Sequence, residues 1–425
     1  MIDIKLIREN PGLVKKAVRD KGMDVDIDRL LEIDARRREL TASFDELRHQ
    51  QKQAGQRIAK APKDQKAALS RELGELKARL KEIEQQRARI EAEFNELMLL
   101  VPQIPHPDAP VGPDDSGNVE VKRVGQTRTP EQFGFEFKDH VELGVRLGLL
   151  DIERGVKLAG SRNYVLTGAG AMLHEAVLRM AWDMMLERDF VPLTVPVLVT
   201  EQLMVGTGFF PLHRDEVYLV ERDAKCLVGT AEVPVTGLHA DEILDCGELP
   251  RKYVARSTCF RREAGAAGKD TRGLFRIHFF DKLEEVVICR ADPEESAHWH
   301  EVILQNAEDL LQRLELPYRV VEVCTGDMGQ SKVRQFDVET WMPSRSGYGE
   351  THSASRYHDF QARRLRIRYR DEQGQVQVCH TLNSTVVASP RILIPLLENH
   401  QNADGSVTIP AALRPYMNGL ERIDP

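Results

Sequence analysis

The sequence predicts an α+β protein in two parts: an N-terminal antiparallel helical hairpin, then a domain built on a central antiparallel β-sheet flanked by helices. Three observations carry this. Apolar residues keep a heptad rhythm from about residue 30 to residue 97, with one break. A Pro/Asp/Gly-rich stretch at 101–119 ends the rhythm and reads as a linker. Beyond it, two β-type runs, Tyr253–Arg262 and Leu274–Cys289, flank a polar loop at Gly265–Gly273 and read as an antiparallel hairpin.

The first apolar seam runs through Leu30, Ile33, Leu40, Phe44, Leu47, Ala54 and Ile58, with Arg37 and Gln51 at the skipped positions. Pro62 interrupts it, and Asp64 is placed to cap the next helix. The second seam runs through Leu69, Leu73, Leu76, Leu80, Ile83, Ile90, Phe94 and Leu97. Spacings of three and four mark a coiled coil. Two helices of similar length with a tight break between them fold back on one another, so the chain supplies both sides of its own seam. Helices of roughly 33 residues give an arm about 50 Å long. Its outer faces carry Arg36, Arg38, Arg48, Lys52, Arg57, Lys60, Lys66, Arg71, Lys77, Arg79, Lys81 and Arg89 among acidic residues. By itself that pattern also suits a merely solvated helix face.

At 425 residues and 41% hydrophobic content the chain can bury a sizeable core in two or three domains. The formal charge of -8 provides no global basic field, so any nucleic acid must meet locally concentrated cations. Six scattered cysteines without a C-x-x-C pair point to reduced thiols and away from a zinc ribbon. His298 and His300, two apart, make a poor metal pair on a helix. The mixed-charge N-terminus has no long apolar run, and a cytoplasmic protein is expected.

The hairpin is the richest segment. It carries Arg261, Arg262, Arg272 and Arg276, the carboxylates Glu263 and Glu284, and the aromatic Phe280. Guanidinium forks bind phosphate bidentately and an aromatic face can stack a purine, which suggests a nucleotide held on an antiparallel sheet. Gly265-Ala-Ala-Gly268-Lys269-Asp270 imitates a P-loop but has two residues between its glycines where four are needed, and Asp after the lysine; it is rejected. The order F-R-x-E, loop, R-x-H-x-F-x-K-x-E resembles motif 2 of the class II aminoacyl-tRNA synthetases, in the seryl-tRNA synthetase family.

Further motifs follow in that family's order. Met172–Glu187 and the extended Phe190–Val199 resemble motif 1, the class II dimer interface. Gly229-Thr230-Ala231-Glu232 resembles its T-A/S-E, Cys324–Gly329 its C-T-G-D-x-G turn, and Tyr348–Ser353 its Y-x-E-x-x-S. Asp359-Phe-Gln-Ala-Arg-Arg364 is a close match. Ser389-Pro390-Arg391 resembles motif 3; Ser389 at N-cap and Pro390 at N1 would start a helix with Arg391 in its first turn, where a bound anion would explain the arginine. Leu397–Gln401 and Arg414–Met417 match the C-terminal signature. Departures are His278-Phe279-Phe280 for H-Q-F, Thr351-His352-Ser353-Ala354-Ser355-Arg356 where relatives often read S-S-C-S-N after the glutamate, and Pro390 for Gly.

The resemblance implies a serine–tRNA ligase activity on a class II catalytic domain, with residues 1–110 as a tRNA-binding arm and linker and 111–425 as the catalytic domain. It places ATP against Arg261, Arg262, Glu263, Arg276, Ile277, Phe280, Glu350, Thr351, His352, Ser353 and Arg391. Arg261 would meet the α-phosphate, Arg276 the outer phosphates, Arg391 the γ-phosphate, and Glu263 the adenine amino group, with Phe280 stacked on the ring. L-serine would lie among Thr230, Ala231, Glu232, Arg261, Glu284, Asn383 and Thr385. Glu350 and Ser353 would hold Mg²⁺, so that Arg261, Arg391 and Glu350 carry the catalytic load. Implied partners are serine tRNA, with selenocysteine tRNA left open, and a second copy of the chain in a homodimer; no membrane is implied. Phe279, next to Phe280 on a strand, should face away from the nucleotide. Two rivals, a paralogue charging a carrier and a non-catalytic interaction protein, fit less well. The first tends to lack the long arm, and the second would have lost Arg261, Glu284 or Arg391.

Overall fold

The computed structural model describes residues 1–265 and 272–425, which form two compact units, 1–102 and 103–425. Most of the loop read as a P-loop imitation lies outside the described residues.

The N-terminal unit has four helices: α1 (Ile4–Glu9), α2 (Pro11–Asp20), α3 (Ile27–Lys60) and α4 (Lys66–Leu100). The last two are the expected arm, and at 1.5 Å per residue each is about 50 Å long. Leu47, Ala54, Leu76 and Leu80 are buried along the seam, with Phe44, Leu73 and Ile83 beside them. The polar seam residue Arg37 lies over the Phe94 ring at 4.0 Å, and Arg87 lies over Phe44 at 4.5 Å. Asp64 does not cap α4. The N-cap position falls on Gln65, and no side chain bonds to it there. Nearer the base, fully buried Asp34 accepts from Arg8 (2.6 Å) and Arg37 (3.1 Å), tying α1 to α3. All twelve basic residues singled out on the arm are exposed.

The second unit is organised by an eight-stranded sheet: β1 (Val119–Val124), β2 (Val191–Leu193), β3 (Arg251–Phe260), β4 (Phe279–Cys289), β5 (Tyr318–Glu322), β6 (Arg334–Met342), β7 (Gly347–His358) and β8 (His380–Ser389). The spatial order is β1-β5-β6-β7-β8-β4-β3-β2, antiparallel throughout except for the β2–β3 edge pair. Helices α5 (Gly168–Leu186) and α7 (Pro293–Arg313) cover one face; between them in sequence comes α6 (Glu232–Gly237). Under α5 and α7, Leu283, Val287, Val338, Ala354, Leu382 and Val386 form the main core. Strand alternation sends the intervening side chains, Lys282 and Glu284 on β4 and Asn383 and Thr385 on β8, to the opposite face. That face carries the cavity.

Further helices of the unit include α8 (Phe360–Leu365) and α9 (Leu393–Asn399), besides short ones at His140–Arg146, Ile152–Ala159 and Glu201–Thr207. The helix expected to begin at Ser389-Pro390 begins at Leu393 instead. Ser389 is still a strand residue, paired with Asp281, and Arg391 lies in the turn between β8 and α9. The first motif 2 strand lies two residues earlier than expected and ends at Phe260, and the second is shorter, beginning at Phe279. The linker is not free chain: Gln103 and His106 donate their amides to Gln330 O and Val333 O. The turn at Thr325–Asp327 packs so closely that a Cβ on Gly326 would meet Pro113 O at 2.4 Å. All six cysteines are free thiols. Among the described residues no helix is long and apolar enough to cross a membrane.

Candidate active site

One cavity of about 560 Å³ opens on the face of the sheet opposite α5 and α7. Its lining brings together Thr230, Glu232, Arg261, Glu263, Arg276, Glu284, Glu350, Ser353, Asn383 and Thr385, contributed by five separate stretches of chain.

One end of this set holds buried carboxylates. Thr230 accepts from the Glu232 amide at 3.2 Å, which opens the short helix α6 and aims Glu232 inward. Glu232 is bonded by Gln361 Nε2 at 2.7 Å, and Gln361 in turn accepts from Thr381 Oγ1 at 2.7 Å. Burial first, and then the neighbouring Glu284, raises the Glu232 carboxyl above its ordinary range. Glu284 is itself buried and ion-paired with Lys282. Residues two apart on a strand share a face, so β4 presents a lysine and a carboxylate together. Such a set, poor in bulk and rich in acceptors, fits a small ligand bearing an ammonium and a hydroxyl.

The remainder is cationic. The Arg261 guanidinium lies 5.2 Å from the Phe280 ring centre, and its backbone is tied to His278. Phe279 stacks on Tyr164 at 4.9 Å, and Phe279 and Phe280 both pack against the cluster of Tyr164, Leu274 and Ile277. Glu263, in the left-handed region at φ +52°, accepts from Arg276 at 3.1 Å. Arg391 donates to Phe275 O and Glu350 O and lies 4.6 Å over the Phe275 ring.

Glu350 and Ser353 are three apart, which on a regular strand would place them on opposite faces. A bulge corrects this: Glu350 pairs with Glu339 and His352 with Val338, leaving Thr351 without a cross-strand partner. Beneath them Asp337 accepts from Gln335 Nε2 at 2.7 Å. Burial and the nearby Glu350 push its carboxyl up to about 7. The raised Asp337 carboxyl, the Glu350 carboxylate and the Ser353 hydroxyl form a hard-oxygen donor set that a divalent cation would relieve, so these residues fit Mg²⁺.

Several expected side chains do not line the cavity. Arg262 alternates away from Arg261 and donates to Asp215 O. Ile277 is buried in an apolar cluster with Leu150, Tyr164 and Leu274, and Ala231 packs with Val235 and Leu244. Thr351 turns into the protein, with its hydroxyl 2.6 Å from that of Thr340. His352 is buried behind it, and burial pushes its pKa down to about 3. Phe280 and Arg391 stand at the margin through Arg261 and Glu350. Sequence reasoning missed Lys282, Asp337, Tyr357, Gln361 and the stacking platform Phe275. The period of two from Glu284 and from Ser353 would have found Lys282 and Tyr357; Gln361 and Phe275 carry no local signal.

Comparison with known proteins agrees with this architecture. Residues 1–105 match the Seryl-tRNA synthetase N-terminal domain, and residues 218–400 match the tRNA synthetase class II core domain (G, H, P, S and T). The chain is 47% identical to a serine–tRNA ligase of Deinococcus radiodurans over 99% of this chain and 98% of that one. It is 46% identical to the Corynebacterium diphtheriae serine–tRNA ligase over the full length of both. A crystal structure of seryl-tRNA synthetase from Pyrococcus horikoshii complexed with ATP superposes with a TM-score of 0.91 at 39% identity, covering 100% of each chain. With a helical arm, a class II sheet and likeness along its whole length, the chain belongs to the seryl-tRNA synthetase family.

Proposed function

We propose that this protein is an ATP-dependent serine–tRNA ligase, which activates L-serine to seryl-adenylate and transfers the seryl group to the 3′ end of serine tRNA. One observation carries the reading: a single cavity joins a buried Thr230/Glu232/Glu284 set to Arg261, Arg276 and Glu350. The serine ammonium enters between the carboxylates, where its charge offsets the burial and the repulsion from Glu284 that raise Glu232. Asn383 and Thr385 flank it. Arg261 meets both the substrate carboxylate and the α-phosphate, Arg276 and Arg391 face the outer phosphates, and Glu263 accepts from the adenine amino group.

In the first step the serine carboxylate attacks the α-phosphorus in line and pyrophosphate leaves. In the second the terminal ribose hydroxyl of the tRNA attacks the acyl carbon and AMP leaves. The residues act by positioning and charge neutralisation, with no protein acid or base required at the reacting atoms. Glu350 and Ser353 would hold Mg²⁺, which when bound supplies positive charge to the phosphate oxygens. Thr351 and His352, facing away, contribute backbone alone.

We assign tRNA binding to residues 1–110 and both chemical steps to 111–425. Charge supports the arm's role. Residues 48–82, its outer half, carry 10 Lys/Arg against 4 Asp/Glu, whereas 28–47 and 83–100 together carry 6 against 10. The cations are thus concentrated around the turn of the hairpin, where they can meet a polyanion. We further assign a cytoplasmic homodimer joined through α5 and β2, where Met172, Leu186 and Val191 are exposed. Serine-dependent ATP–pyrophosphate exchange, followed by charging of serine tRNA, tests the assignment. Exchange that responds to another amino acid and not to serine would overturn it.

A further inference from the structure

We propose that Tyr357 sets the size limit of the amino-acid subsite, its ring excluding threonine where the polar groups cannot. The inference rests on the serine-activation reading and names what enforces its selectivity. Alanine is rejected by chemistry, because acceptors and donors built for a hydroxyl are left unpaired. Threonine keeps the hydroxyl and adds one methyl, so only a wall can reject it.

Tyr357 is the one aromatic among the described cavity-lining residues of β4, β7 and β8. It is 3% exposed, and Asn383 Nδ2 donates to its hydroxyl at 3.2 Å. Its aim is set by the backbone. Arg356 pairs with Leu382 and His358 with Thr381, so Tyr357 is the extra residue of a bulge with no partner of its own on β8. The alternation that brings Ser353 and Ser355 to the cavity brings Tyr357 there too, and the bulge falls at that residue. The position is held from behind as well, since Tyr357 O accepts from Gln103 Nε2 at 3.0 Å. Burial first, and then the charge of Glu232, keeps the phenol protonated. The ring is therefore neutral, enclosed, and anchored at both its backbone and its hydroxyl. Such a wall does not yield to an added methyl.

The test is amino-acid-dependent ATP–pyrophosphate exchange by the full-length protein with serine, threonine and alanine in parallel. Tyr357→Ala should narrow the serine-to-threonine ratio of kcat/KM by a factor within the roughly 10–200-fold that one methyl is worth in a pocket. The alanine-to-serine ratio should stay nearly unchanged. Tyr357→Phe keeps the ring and should keep threonine out, with serine KM raised severalfold. Tyr357→Leu gives a second reading of the ring's absence if the alanine variant fails to fold, as judged by an ATP-induced rise in Tm. An Ala or Leu variant that still activates serine at the wild-type serine-to-threonine ratio overturns the proposal. So does a Phe variant as permissive as the Ala variant, which would make the hydroxyl the discriminator. A wild-type protein with no serine-dependent exchange would instead defeat the underlying functional reading.

Discussion

Asp34→Asn separates the arm from the chemistry with a single atom's change. Asp34 is fully buried, accepts two bonds from Arg8 (2.6 and 2.9 Å), and bridges Arg37 at 3.1 Å and Arg38 at 3.3 Å. Removing one partner of a buried ion pair costs about 3–5 kcal/mol. The arginines lower that figure, since Arg8 and Arg37 are 30% and 25% exposed and Arg38, at 59%, adds little. We therefore expect a loss of about 2–4 kcal/mol in the N-terminal unit, on the order of 10 °C in its melting temperature. Burial alone would raise the Asp34 carboxyl, but the bonds from Arg8 and Arg37 win and hold it below its ordinary 3.8. Its contribution is thus complete above about pH 4 and is lost as pH falls through the depressed folded value. The variant should show the deficit at pH 7, and the gap to wild type should close in strong acid. Helical circular dichroism during heating reports the arm, and pyrophosphate exchange reports the catalytic unit. Charging of tRNA should fall at temperatures where exchange persists. An unchanged melt, or exchange lost in step with charging, would refute the assigned role of Asp34.

Arg261→Ala and Arg391→Ala should each abolish pyrophosphate exchange while leaving the melt of unit 103–425 close to wild type; near-normal exchange in either would remove it from the phosphate site. Glu284→Gln should raise the KM for serine far more than that for ATP, and the reverse pattern would place Glu284 in the wrong subsite. Excising residues 48–82 and closing the arm with a short turn keeps Asp34 and the Arg37–Phe94 contact. It should leave exchange intact, reduce tRNA charging severely and flatten the salt dependence of charging; charging at full rate would make the arm merely structural. Asp337→Asn addresses a carboxyl raised to about 7. The native state then holds a proton that the unfolded state has released, so stability falls as pH rises from about 4 to 7. The variant, measured without divalent cations, should lose that slope, and an unaltered slope would contradict the shift.

Periodic features were legible in the sequence, and so were the motifs. The arm could be read because an interval of seven repeats through Leu40, Leu47 and Ala54, and again through Leu69, Leu76, Ile83, Ile90 and Leu97. The β3–β4 hairpin could be read because its polar loop interrupts two apolar runs. Helix ends were less legible. Asp64 and Ser389 have the right chemistry for caps, yet the first is left one residue short of the N-cap position. The second is retained by the sheet through its pairing with Asp281. Tertiary pairing outweighed a local preference worth about 1 kcal/mol.

Least legible were the bulges, and they decide the chemistry. A single unpaired residue, Thr351, puts Glu350 and Ser353 on one face and sends His352 to the other. Six residues on, Tyr357 is inserted in the same way against β8. Both insertions occur on β7, so one strand changes register twice while crossing the cavity. The first change assembles the hard-oxygen set, and the second comes at Tyr357, which has followed Ser353 and Ser355 into the cavity by ordinary alternation. A regular strand of identical composition would put Glu350 and Ser353 on opposite faces and take one of them out of the cavity. The residue types of β7 announce a site, but the meeting of those two side chains is made by one extra residue, which appears only when the partner strand is counted against it.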